Sequence, residues 1–198
     1  MNTAPITYKP APTQPKFTMP KGACDTHCHV FGPAAVFPYS PQSKLQPGDA
    51  PKETLFALHD MIGIEKCVIV QSGVHGFDNR AMLDAMNARK GDYLGVALLP
   101  VTVEDDEIRR LDDLGVRGIR FNYMAHLVPG ASVDELLRLA DRLARFDWHL
   151  QIHMESSLIE GMADGLAKSS VPVVIDHMGR VDASLGLDQA PFNALLRL

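Results

Sequence analysis

The sequence of 198 residues is poor in cysteine, in net charge and in long apolar runs, and each lack excludes a class of protein. Its three cysteines, Cys24, Cys28 and Cys67, show no short pairing motif. Such a set argues for free thiols in a reducing compartment rather than for a disulfide-stapled secreted domain. A net charge of −5 gives no electrostatic reason to bind nucleic acid or an anionic membrane. An anionic substrate would have to be held by locally placed Arg and His against that field. The N-terminal residues show no signal-peptide pattern, and no apolar stretch approaches the roughly 18 residues of a membrane span. A cytoplasmic location is therefore the default expectation.

What is present is a globular composition, 46% apolar and 22% charged, enough for one domain with a core. Residues 1–20 hold five prolines, which fix φ and lack a donor, so an extended arm is expected there. A single domain is expected over 21–198. It contains six short apolar runs: Ala23–Val30, Cys67–Gln71, Tyr93–Leu99, Gly118–Tyr123, Leu150–Met154 and Val171–Ile175. Amphipathic segments separate them. Thr54–Met61 spaces Leu55, Leu58 and Met61 by three. Asp78–Arg89 opens on Asp78 as a cap and sets Met82 one turn from Met86. Thr102–Leu114 opens on Thr102 and Asp105 and buries Ile108, Leu111 and Leu114. Ser132–Phe146 opens on a Ser132/Glu135 capping box. Ser157–Lys168 is weaker, and Pro191 suits the first turn of a last helix. Strict βα alternation leaves an open doubly wound sheet or a closed barrel. No glycine-rich phosphate loop follows the first run; Asp25-Thr26-His27-Cys28-His29 stands in its place. The expected fold is therefore an α/β (β/α)8 TIM barrel, incomplete at about six βα units.

Polar residues gather at the strand ends, where both architectures place their chemistry. Residues i and i+2 of a strand share a face, so His27 and His29 project together and can hold a divalent cation or polarise a carbonyl. His177 follows the sixth run. His153 shares a face with Gln151 and Glu155 in the fifth. Arg120 shares one with Asn122 in the fourth. An inward Arg is costly unless paired; a substrate carboxylate is favoured as its partner over a structural ion pair, and Arg120→Ala should then weaken binding and spare the fold. His75, after the second run, is a candidate substrate contact. His59 and His149 read as surface or helix-end residues, and Trp148 as packing.

The stretches Gly22–Pro33, Val68–Gln71 with His75-Gly76 and Asp78-Asn79, Gly118–Asn122, and Val174–Arg180 resemble the 2-pyrone-4,6-dicarboxylate lactonase group of the amidohydrolase superfamily. The resemblance spans about residues 20–185. It implies a barrel that hydrolyses or isomerises lactones of carboxylated ring-cleavage products or sugar acids. It also implies that His27, His29 and His177 surround the scissile carbonyl, that Arg120 holds a carboxylate, and that an Asp of strand eight activates water. The lactonase group works without a metal. Three positions depart from the pattern. His126 stands where a second Arg is expected, His153 where a Tyr ends strand five, and Leu45 where a Tyr contacts substrate. The first two join the substrate-binding candidates Arg120, His75 and Asn122. A histidine at the end of strand five is also where metal-dependent relatives place a ligand. His27, His29, His153 and His177 are thus the expected ligands if one divalent cation, zinc or manganese, is bound. A metal-dependent decarboxylase or C–C hydrolase is the alternative activity, and an inactive truncated barrel a third reading. The expected partner is a small anionic substrate, with no nucleic acid and no membrane. Six units are fewer than a barrel's eight, so the chain reads as part of a longer parent, to which the activity is assigned, and the isolated 198-residue chain is expected to be inactive.

Overall fold

A computed structural model describes residues 4–124 and 130–198. The chain forms two compact units, one of residues 1–98 with 113–116, the other of 99–112 with 117–198.

In the first unit, β1 (Cys24–Cys28), β2 (Lys66–Val70) and β3 (Tyr93–Ala97) pair in parallel and in sequence order. Helices α1 (Lys52–Ile62) and α2 (Arg80–Ala88) connect them. Residues 4–20 carry neither helix nor strand. Their contacts include Pro5 O, which accepts from Gly48 N, and Gln14, which donates to Met61 O at the end of α1. The core joins Ile69 and Val96 to Met82, Ala85 and Met86 of α2. Gly95 leaves the room these methionines need: a Cβ there would lie 2.5 Å from Met86 Sδ.

One stripe is phased differently from its spacing. On α1 the buried residue is His59, while Leu58 is exposed. His59 is held inward by polar partners, which an apolar periodicity does not register. Asp78 stands one residue before the cap position of α2, which Asn79 occupies, but its Oδ1 does accept from Arg80 N, the first donor of the helix, at 3.1 Å; the buried amide of Asn79 exchanges hydrogen bonds with the backbone of Leu98 instead.

In the second unit, β4 (Val116–Tyr123), β5 (His149–Met154) and β6 (Val173–Ile175) are parallel, with β5 between the other two. Around them run α3 (Asp105–Asp113), α4 (Val133–Leu143), α5 (Ile159–Leu166) and α6 (Ala190–Leu195). Leu136, Leu139 and Leu143 of α4 are buried as their spacing predicts, with Ile119, Leu150 and Ile152 of the strands. The Ser132/Glu135 capping box forms, and Pro191 lies in the first turn of α6. Helix α3 begins at Asp105, not Thr102, and Leu114 lies past its end, 47% exposed. Trp148 is fully buried and donates to Asp112 at 2.9 Å. His149 is no surface residue: its ring occupies the space a side chain at Gly118 would fill. Strand β6 is only partly covered, with Val174 exposed.

Candidate active site

The first unit carries the histidine pair. His27 lies in β1 and His29 just past its end, with ring centroids 5.1 Å apart and planes nearly perpendicular. Nδ1 of His29 donates to Val70 O at 2.7 Å, because a carbonyl only accepts. That bond fixes the tautomer and turns Nε2 into a lone-pair donor, the state a metal ligand or a proton acceptor requires.

Between the two histidines Cys28 turns the other way, its Sγ 3.2 Å from that of Cys67. The sulfur contact and then burial push the Cys28 thiol far above its ordinary range, so it is inert rather than nucleophilic. All three cysteines are free, Cys24 on the surface and Cys67 buried.

His75 is buried with both ring nitrogens committed to the loop after β1. Nε2 accepts from Gly32 N at 3.3 Å and Nδ1 donates to Pro38 O at 3.2 Å. Burial lowers its pKa, which suits this neutral bridge. The geometry makes His75 a clamp on that loop.

In the second unit, Arg120 and Asn122 of β4 stand beside Gln151 and His153 of β5 by register. Arg120 donates through Nε to Asp176 at 2.7 Å, and the side chains are 6% and 1% exposed. Gln151 donates to the other carboxylate oxygen at 2.6 Å. The expectation that Arg120 spares the fold is thereby corrected: it belongs to a buried ion pair. Its partner follows β6, 56 residues away, and no local spacing announces it. The pair uses the Nε edge; among the described residues the Nη groups form no hydrogen bond, which leaves that edge to an anion.

His153 donates from Nδ1 to Asn122 Oδ1 at 3.1 Å, and its ring meets that of His177 edge-on at 5.0 Å. Its Nε2 is buried and has no hydrogen-bond partner among the described residues. Burial, then the charge of Arg120 and the His177 ring, lower its pKa to about 4 against the pull of Asp176. His153 is therefore neutral near pH 7, with an acceptor nitrogen in wait.

His177 is exposed and opens a run of left-handed residues, with φ 52° there, 54° at Met178, 64° at Gly179 and 53° at Arg180. Only Gly179 reaches this conformation without steric cost, and a Cβ on it would also meet Ile159 Cδ1 at 2.7 Å. Three non-glycine residues in that conformation, the site candidate His177 among them, mark a backbone held by its surroundings. His126 lies outside the described residues.

Two residues escaped the sequence reading. His59 lacked any local signal, and Asp25 stood in the first-strand motif without an assigned task.

The model of the Amidohydrolase family matches residues 24–198. The 2-pyrone-4,6-dicarboxylate hydrolase of Comamonas testosteroni is 42% identical over 186 residues, 94% of this chain and 61% of that protein. The 4-sulfomuconolactone hydrolase of Rhizobium radiobacter is 39% identical over 180 residues, 90% of this chain and 60% of that protein. Among solved structures, a Pseudomonas putida protein described as a candidate 2-pyrone-4,6-dicarboxylic acid hydrolase superposes with a TM-score of 0.77 at 32% identity. That match covers 91% of this chain and 66% of the other. The chain thus spans about three fifths of the length of the curated relatives it matches. The six βα units are those of an amidohydrolase-type (β/α)8 barrel, and the chain belongs to the amidohydrolase family.

Proposed function

We propose that the protein hydrolyses the lactone ring of a small carboxylated compound, such as a ring-cleavage product or a sugar-acid lactone. The observation that carries this reading is the 42% identity over 186 residues to a 2-pyrone-4,6-dicarboxylate hydrolase. Water adds to the ester carbonyl, and the charge that develops on its oxygen is met by donors set in advance. His27, His29 and His177 surround that oxygen, and His29, whose Nδ1 proton is given to Val70 O, meets it as a donor only once its Nε2 has taken a proton. The Nη edge of Arg120 anchors a substrate carboxylate, and Asn122, His153 and His126 shape the rest of the contact. His75 acts on the same chemistry by holding the loop after β1. The substrate is a small anion, gathered by these few cationic and neutral donors on a chain of net charge −5.

A second reading is favoured by the histidine tautomers. His29 and His153 each present Nε2 as an acceptor, so their donor chemistry fits a divalent cation with His27 and His177 as the further ligands. When bound, such a cation would supply Lewis-acid polarisation for a decarboxylase or C–C hydrolase. Arg120 would still hold the carboxylate.

Assay of the full-length parent on pyrone carboxylates, muconolactones and aldarolactones, with and without chelator, separates these readings. Ring opening that survives chelation is the expected result. Stoichiometric zinc or manganese with chelator-sensitive turnover selects the second reading, and no turnover of any lactone would sink the first.

A further inference from the structure

A polar chain, buried at Tyr93 and His59 and half-buried at Asp25, reaches β1 from the first unit's helix layer, and the proposed chemistry makes no use of it. The Tyr93 hydroxyl lies 2.7 Å from Nδ1 of His59. Nε2 of His59 lies 3.2 Å from Oδ2 of Asp25, and Oδ1 of Asp25 accepts the backbone N–H of His27 at 3.1 Å. A carboxylate only accepts, so Nε2 of His59 carries the proton and Nδ1 accepts from Tyr93. Every link thereby has a direction, and the last is the backbone of a site candidate.

That link falls at an irregularity of the strand. Asp25 pairs in register with Cys67 and Cys28 with Ile69, so β1 spends three residues where β2 spends two. Partners in register share a face. Asp25 and Cys28 therefore both point toward the side where Cys67 and Ile69 are buried, although strict alternation would oppose them. The extra residue is a bulge, a device that re-aims side chains. It sends Asp25 to the His59 side while His27 and His29 flank the inward-turned Cys28. An apolar side chain would fill the place of His59 at lower desolvation cost. Cys28, His59 and Cys67 also bring potential ligand atoms within 4.8 Å of one another, but both nitrogens of His59 are already bonded along the chain.

We propose that His59 is a positioning residue for the His27–His29 pair, acting through Asp25 to hold the bulge of β1. Only the activity readout rests on the lactone-hydrolase reading. The test compares wild type with His59→Leu, His59→Gln, Asp25→Asn and Tyr93→Phe by kcat and KM, thermal midpoint, and the imidazole 15N resonances of His27 and His29. His59→Leu should lower kcat about 10-fold or more with KM within about threefold, as loss of a supporting partner does elsewhere. It should shift both sets of resonances. His59→Gln, which can still donate to Asp25, should recover a large part of both. Folded His59→Leu with wild-type resonances and kcat overturns the proposal, as does His59→Gln that matches His59→Leu in everything except stability. If His59→Leu does not fold, Tyr93→Phe and Asp25→Asn decide: resonance shifts in both support the proposal, and unchanged resonances in both, or in either alone, overturn it. If wild type opens no lactone, the functional reading fails, and the resonances still decide the positioning role.

Discussion

At the scale of single residues, the Arg120–Asp176 pair has the largest consequence. Both groups are buried, and Gln151 satisfies the second carboxylate oxygen. Removing one member of such a pair leaves an uncompensated buried charge, a loss of about 3–5 kcal/mol. Arg120→Ala is therefore expected to lower the urea midpoint strongly as well as raise KM. Arg120→Ala combined with Asp176→Ala should cost less than the two single changes summed. Strict additivity in that cycle would show that the pair carries no coupling. The same residue illustrates what was legible locally. An inward Arg on β4 could be read from alternation, because β4 is regular. Its partner could not, because a separation of 56 residues leaves no trace in spacing.

At the scale of elements, the two helix starts of the second unit behave differently for a physical reason. Ser132 accepts from Glu135 N, and Glu135 returns to the Ser132 backbone, so two otherwise orphaned donors are satisfied. Thr102 stands three residues before α3 begins, and Asp105, its supposed companion, is instead bound by Arg142 and Arg145. Ser132→Ala should cost about 1 kcal/mol in urea unfolding. Thr102→Ala should stay within about 0.5 kcal/mol of wild type. Equal losses would mean that the assignment of the α3 start is wrong.

At the scale of the molecule, the histidines set the response to acid. His153, with a pKa lowered to about 4, and His75 and His149, also lowered chiefly by burial, resist protonation in the folded protein. The unfolded chain takes up these protons near the ordinary value of 6.5. Their contribution to stability is therefore complete above pH 6.5 and is lost as pH falls toward 4. Asp25 works in a lower window. Its carboxyl is held down first by the bond from His59, and its contribution fades only below 3.8. The urea midpoint should fall between pH 7 and pH 5, and less so in His153→Gln. A midpoint that does not change over that interval would sink this account. No helix of the described residues is long and apolar enough to cross a membrane.

The sequence by itself determined the βα alternation, the parallel character of the strands, the capped α4 and the polar residues at the strand ends. These follow from period, cap chemistry and apolar runs, which are properties of neighbours along the chain. Even the cluster His27-Cys28-His29 needed only the alternation of a strand. Tertiary structure alone decided which polar groups are buried and with whom. His59 faces inward on α1 because Tyr93 and Asp25, each 34 residues away, complete its bonds. His75 became a clamp because Gly32 and Pro38 meet it across more than 35 residues. The bulge of β1 exists only in its register with β2. Burying a polar group is unfavourable until its partners arrive, and only the folded chain brings those partners together.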